Sequence, residues 1–280
     1  MRYAKAMSAS ISAVLIIKNE APFIERALHS LMWCDEIVVV DAYSDDATPQ
    51  LCQNPAAPWA NKIKFIEKEW LGFSTQRNFA MVQTKNDWVF FLDGDEACSP
   101  ELASTIRILI DDPKSHNLQF KIRRQEFFLR KPIHFGIWNP SYHIRLFKKT
   151  GVEFVGNVHE GVQSTYETKN VDAPIIHVED LRIERFLAKL NHYTTLQAQN
   201  DFEKGTRTSF ARIFLSFPAM FYKNYVYYKA YRDGREGFII SALEGISRTV
   251  RHLKIWQLQH LNRAKAESNA VEYKADSLKQ

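Results

Sequence analysis

The chain has no apolar run long enough to cross a bilayer. Its uncharged stretch Ile213–Tyr222 is ten residues, against about 20 for a spanning helix. Arg2 and Lys5 are followed by no apolar segment before Ile11, so a secretory leader is not expected. The three cysteines, Cys34, Cys52 and Cys98, are odd in number and lack metal-type spacing, which suits ordinary thiols in a reducing compartment. Glycine-rich phosphate cradles are missing as well. Without Gly-x-Gly-x-x-Gly a Rossmann dinucleotide site is disfavoured, and without Gly-x-x-x-x-Gly-Lys-Ser/Thr a P-loop is excluded. Internal repeats and low-complexity segments are also absent. These absences point to a cytoplasmic protein, or one peripheral on a membrane.

Hydrophobic content of 45% and charged content of 25% fit a globular class. The net charge of +5 hides an asymmetry. Residues 1–180 carry 20 Lys+Arg against 23 Asp+Glu, whereas residues 181–280 carry 17 against 9. An anionic surface is therefore an expected partner of the C-terminal part.

Ile11 to Ile17 and Ile37 to Val40 are short apolar runs typical of buried parallel strands. Lys64 to Ile66 and Trp88 to Leu92 continue the series. Helices are predicted over 21–31, 75–83 and 100–110, with Ser44 to Thr48 as a turn offering helix caps. Strands alternating with helices define an α/β layer with a mainly parallel sheet. Strands are further expected at 118–124, 126–129, 143–147 and 171–176. Residues 1–180 thus read as one domain and 181–280 as a helical extension. In the extension, Phe210, Phe214, Phe217, Phe221, Tyr225 and Tyr228 share one helix face. Asp233-Gly234 breaks that helix. A second one carries Ile239, Leu243, Ile246, Val250 and Leu253 on one face.

The densest chemistry lies at 88–96. An apolar strand ends in Asp93, Gly94, Asp95 and Glu96. Clustered carboxylates repel one another and are costly to desolvate. A hard divalent cation would relieve that repulsion and bridge to substrate phosphates. In α/β sheets, ligands bind beyond the carboxyl ends of the strands. Lys18-Asn19-Glu20, Asp41 and Asp93 all follow strands, so three strand ends deliver polar groups to one edge. The competing reading makes the carboxylates a solvated turn capping the helix at Pro100.

Ile11-Ser12-Ala13-Val14, Lys18-Asn19-Glu20, Glu36 to Asp41 with Ser44-x-Asp46-x-Thr48, Gln76-Arg77-Asn78 and Leu92 to Glu96 resemble the family 2 glycosyltransferases. Trp138-Asn139-Pro140, Arg145-Leu146-Phe147 and Val158-His159-Glu160 are similar to a subgroup that builds the lipopolysaccharide inner core, the β-1,4-glucosyltransferases acting on heptose. The resemblance implies a GT-A fold, inverting transfer from a nucleotide-sugar donor, and Mn²⁺ or Mg²⁺ as cofactor. It assigns Asp41 to the uracil ring, Asp93 to ribose or metal support, Asp95 to the metal and Arg77 to the diphosphate, with Asn19 and Glu20 in the donor site. It also implies His177 as a metal ligand. The second acidic residue often found after Asp41 is Ala42 here. The glutamine–arginine–tryptophan motif of processive synthases is absent, which favours transfer of a single sugar.

Inverting transfer needs a general base for the acceptor hydroxyl. By the same resemblance this is Glu160, flanked by His159, with Glu153, Glu179 and Asp180 as rivals. A zinc-protease reading of His159-Glu160 fails because Gln163 stands where the second histidine is needed. A lipid-anchored oligosaccharide is the implied acceptor, and the implied location is the inner face of the inner membrane. The basic helices suit an anionic membrane. The alternative of a non-catalytic module docking to nucleic acid is disfavoured, because the strand-end carboxylates would repel a polyanion.

Overall fold

A computed structural model describes residues 8–156, 161–177 and 183–277. The chain divides into two compact units, one within residues 1–127 and 140–179, the other within 128–139 and 180–280.

The first unit is built on a mixed sheet. Its early elements are β1 (Ile11–Ile17), α1 (Ile24–Ser30), β2 (Glu36–Asp41), α2 (Thr48–Cys52), β3 (Ile63–Glu67), α3 (Phe73–Val82), β4 (Trp88–Phe91), β5 (Glu96–Cys98) and α4 (Pro100–Asp111). β6 (Leu118–Phe128) follows, then the two-residue β7 (Lys131–Pro132), β8 (Ser141–Lys148), β9 (Val152–Val155), β10 (Gly161–Ser164) and β11 (Glu167–His177). The main path of the sheet runs β3-β2-β1-β4-β8-β6-β11-β5, and β9 and β10 form a separate pair. β1 to β4 are mutually parallel. β8 is antiparallel to both of its neighbours, β4 and β6.

Both faces of the parallel half are covered, which is why these strands read as continuous apolar runs. On β1, Ile11, Ala13, Leu15 and Ile17 face one core together with α1 and α4. Val14 and Ile16 face the other, with Ala80 and Met81 of α3 and Phe154 of β9. Each large side chain removed from water in this way is worth about 1.5–3 kcal/mol.

Differences from the sequence reading have local causes. The two strands expected at 118–124 and 126–129 are one strand. It stops where Leu129 and Arg130 take positive φ, 48° and 67°. β5, β9 and β10 are too short for a periodic signal.

The second unit contains α5 (Ile183–Glu203), α6 (Phe210–Tyr222) and α7 (Arg235–Ser277). α5 ends at Gly205, whose φ of 84° suits the left-handed C-terminal position. Ser209 caps α6 by accepting from the Arg212 amide. Pro218 removes an N–H from α6, and a π turn at 223–227 follows. The aromatic stripe is covered unevenly. Phe217, Phe221 and Tyr225 stack on one another, and the last two meet Phe238 of α7, while Phe210 and Phe214 stay exposed. On α7, Ile240, Leu243 and Ile255 are buried, whereas Ile239, Ile246 and Leu253 are exposed. Close approach sets this packing: a Cβ on Gly237 would lie 1.8 Å from the Ala230 carbonyl oxygen, and one on Gly245 would lie 2.8 Å from the Phe217 ring. Arg251 pairs with Asp201, and Lys254 donates to Asn191, Thr194 and Thr195. Among the described residues no helix is long and apolar enough to cross a membrane.

Candidate active site

The carboxyl ends of β1 and β2 are laced together. Asp41 is fully buried, and its two oxygens accept from the Ser44 amide (2.7 Å) and the Ser44 hydroxyl (2.5 Å). The Ser44 hydroxyl oxygen in turn accepts from the Asn19 amide, and Thr48 Oγ1 accepts from the Glu20 amide, both at 2.8 Å. Asp46 Oδ2 takes the Ala21 amide at 3.2 Å. The Ser-x-Asp-x-Thr spacing is thereby explained: each side chain holds a main-chain amide of the neighbouring loop. Asn19 has φ 57°, a conformation asparagine tolerates better than most residues.

β4 leads into the acidic cluster. Arg145, on β8 and 3% exposed, forks onto Asp93, with Nη1 to Oδ1 at 3.0 Å and Nη2 to Oδ2 at 2.6 Å. Nη2 also donates to Glu96 Oε1 at 2.8 Å. Arg77 reaches Asp93 at 3.4 Å, and Arg124 reaches Glu96 at 3.5 Å. Burial raises both carboxyls' pKa values. Against it, the Arg145 charge drives Asp93 well below the ordinary range, while Glu96, with no exposed surface, stays above its usual value. Two members of this cluster have cationic partners within the protein itself. Arginines neutralise Asp93 and Glu96 from within. The capping alternative fails, because Ser99 caps α4 by accepting from the Leu102 amide.

Asp95 is placed differently. Its Oδ2 lies 3.1 Å from His177 Nε2, at the end of β11, and Arg26 donates to its carbonyl at 2.6 Å. His177 Nδ1 donates to Glu126 Oε2 at 2.6 Å, and Glu126 is itself held by Arg124 at 2.6 Å. Burial would pull the His177 imidazole down, but the hydrogen bonds to Asp95 and Glu126 outweigh it and lift it to about 9. Among the described residues no group of three or more His, Cys, Asp and Glu side chains converges as a metal site. The donor set still fits a cation completed by substrate. It supplies one carboxylate oxygen and one imidazole nitrogen, and the far ring nitrogen is fixed by a carboxylate, as in metal-binding histidines.

The structure therefore gathers Asp93, Asp95, Arg77 and His177 in one network, and it joins Asn19, Glu20 and Asp41 in a second. Gly94 brings the two together: a Cβ there would lie 2.6 Å from Glu20 Cγ and 3.1 Å from Ile17 Cγ2. Glu160 and His159 lie outside the described residues, as do Glu179 and Asp180. Glu153 sits on β9 and is exposed. Sequence reasoning gave no role to Arg145, Arg124 or Glu126. One signal was available, since an arginine inside the buried strand Arg145-Leu146-Phe147 demands a buried anion.

A mixed α/β sheet with acidic strand ends of this kind defines the GT-A class of glycosyltransferases. Residues 12–161 match Glycosyl transferase family 2, and the chain belongs to that family. It is 27% identical over 251 residues to the lipopolysaccharide core biosynthesis glycosyltransferase LpsC of Rhizobium meliloti, covering 88% of this chain and 92% of that one. An uncharacterized glycosyltransferase of Rickettsia bellii is 29% identical over 266 residues, covering 90% and 88%. Among solved structures, the mannosyltransferase PcManGT of Pyrobaculum calidifontis, in complex with GDP-Man and Mn²⁺, shares the fold. Its TM-score is 0.52 at 18% identity, over 89% of this chain and 88% of that one.

Proposed function

We propose that this glycosyltransferase is a metal-dependent inverting enzyme that moves a single sugar, glucose from UDP-glucose, to a heptose of the lipopolysaccharide inner core. The observation that carries the reading is the pairing of Asp95 with His177, 3.1 Å apart beside the arginine-neutralised Asp93. Likeness to LpsC supports the acceptor class.

Asp95 and His177 would hold Mn²⁺ or Mg²⁺, which when bound supplies charge neutralisation to the departing diphosphate. Glu126 keeps the His177 ring oriented. Arg77 lies at the edge of the network as a planar, permanently charged donor for the diphosphate. Asp41 shapes the donor end through the Ser44 loop and, with Asp93, addresses the nucleoside. Glu160 is the proposed base, taking the proton of the attacking acceptor hydroxyl. Residues 1–180 form the transferase domain in this reading, and 181–280 the extension that meets a lipid-anchored acceptor at the inner face of the inner membrane.

Thermal stabilisation by a panel of nucleotide sugars, with and without Mn²⁺, tests the donor assignment. A Mn²⁺-dependent shift specific to UDP-glucose is expected. No shift with any nucleotide sugar overturns the assignment.

A further inference from the structure

Beside α6 lies a groove of about 830 Å³, bounded by α7 and the end of α5. Its lining combines apolar Leu215, Ala219 and Met220 with cationic Arg212, Lys223, Arg248 and Arg251. The lining carboxylate Asp201 is already paired with Arg251. Among the described residues no carboxylate forms an ion pair with Arg212, Lys223 or Arg248. The groove is therefore strongly positive. Burial, together with the guanidiniums of Arg248, Arg212 and Arg251, holds the His252 imidazole below its ordinary value.

Outside the groove, α6 exposes further apolar side chains, with Leu215 shared between the two. Phe210 is 80% exposed, Phe214 72%, Tyr222 62% and Leu215 58%. Isolated exposed apolar residues are common, but four across the exposed face of one 13-residue helix make a patch that wants a partner. The partner must be apolar where the patch meets it and anionic where the groove meets it. A second copy docked symmetrically would set Arg212, Lys223 and Arg248 against their own counterparts, which charge repulsion disfavours. A layer with acyl chains below and phosphates above has both properties in the required arrangement.

We propose that α6 lies in the interface of an anionic membrane, with the Phe210, Phe214, Leu215 and Tyr222 patch at the acyl boundary and lipid phosphates in the cationic groove beside it. The proposal rests on the reading of a membrane-bound acceptor and names the surface that would bring the enzyme to it. The short, locally amphipathic helix binds in the plane of the membrane and does not span it.

Co-sedimentation with vesicles tests this, using phosphatidylcholine alone and phosphatidylcholine mixed with phosphatidylglycerol, at low and high salt. The native protein is expected to bind the mixed vesicles and to lose binding with salt. Arg212→Gln/Arg248→Gln and Phe210→Ser/Phe214→Ser should each lower the partition coefficient about tenfold or more while keeping the native melting temperature. Equal binding to both vesicle types, no binding to either, or unchanged binding by both variants overturns it. So does a concentration-dependent dimer that Phe210→Ser/Phe214→Ser abolishes. The assay contains no nucleotide sugar, so its failure is separable from failure of donor binding, which is read by the thermal shift.

Discussion

Arg145 Nη2 stands 2.6 Å from Asp93 Oδ2 and 2.8 Å from Glu96 Oε1, so one guanidinium neutralises two carboxylates of the β4 turn. Removing one member of a buried ionic group leaves the others uncompensated, at a cost of about 3–5 kcal/mol. Arg145→Met is therefore expected to lose about that much stability by urea denaturation. The variant should also change the sign of the Asp93 contribution to the acid response. With Arg145 gone, the Asp93 carboxyl is expected to rise and Glu96, already above its ordinary value, to rise further. The folded chain then binds more protons, so the variant gains stability as pH falls from neutrality through those raised values. In the native protein Asp93 does the opposite, because its lowered carboxyl gives stability that disappears in strong acid.

Asp95→Ala removes a partly exposed carboxylate and no core packing. The variant also leaves the His177 imidazolium without this partner, so a loss of about 1.5–3 kcal/mol is expected, as for a hydrogen bond to a charged group, with the fold retained. Its Mn²⁺-dependent stabilisation by UDP-glucose should vanish. A full shift in the variant would place the cation elsewhere.

His177 gives a second pH test, on protein stripped of metal. Its folded pKa of about 9 is above the ordinary value of 6.5. The stability it contributes is complete below pH 6.5 and disappears as pH rises through about 9. His177→Gln should flatten this slope, measured by denaturation at a series of pH values.

Two glycines should separate stability from activity. Gly237→Ala would force a Cβ to within 1.8 Å of a main-chain oxygen, and a loss of about 3 kcal/mol is expected from such overpacking. At Gly94 the obstruction is the root of the Glu20 side chain, with Cγ at 2.6 Å and Cβ at 3.1 Å, and Ile17 Cγ2 at 3.1 Å, so the loop itself must shift. Gly94→Ala should stay folded by circular dichroism and raise the KM for donor, because its displacement reaches the Asn19–Glu20 loop.

Glu160→Gln tests the proposed base. Turnover should fall by about 10²-fold or more with donor binding unchanged by thermal shift. Near-normal turnover would move the role to another carboxylate.

The parallel half of the fold was legible because both faces of β1, β2 and β4 are buried, so their apolar runs are unbroken. The acidic strand ends were legible for the same reason, as abrupt charge after such a run. Glu126 and Arg124 were not, because they lie on β6 and, apart from their own pairing, reach Glu96 and His177 through strand pairing distant in sequence. The stripe on α6 was read as one face, but α7 covers it only from Phe217 onward, through Gly245 and Phe238. Helical periodicity does not say how much of a face its partner covers.

The lacing of the first two loops has a consequence for phosphate binding. The amides of Asn19, Glu20 and Ala21 are consumed by Ser44, Thr48 and Asp46, and those of Phe23 and Ile24 by the Glu20 carbonyl. This stretch has no main-chain donors left to ring an anion. A diphosphate arriving at this edge must meet positive charge on side chains or on a cation, since the amide nest that other nucleotide sites use is saturated before the ligand comes.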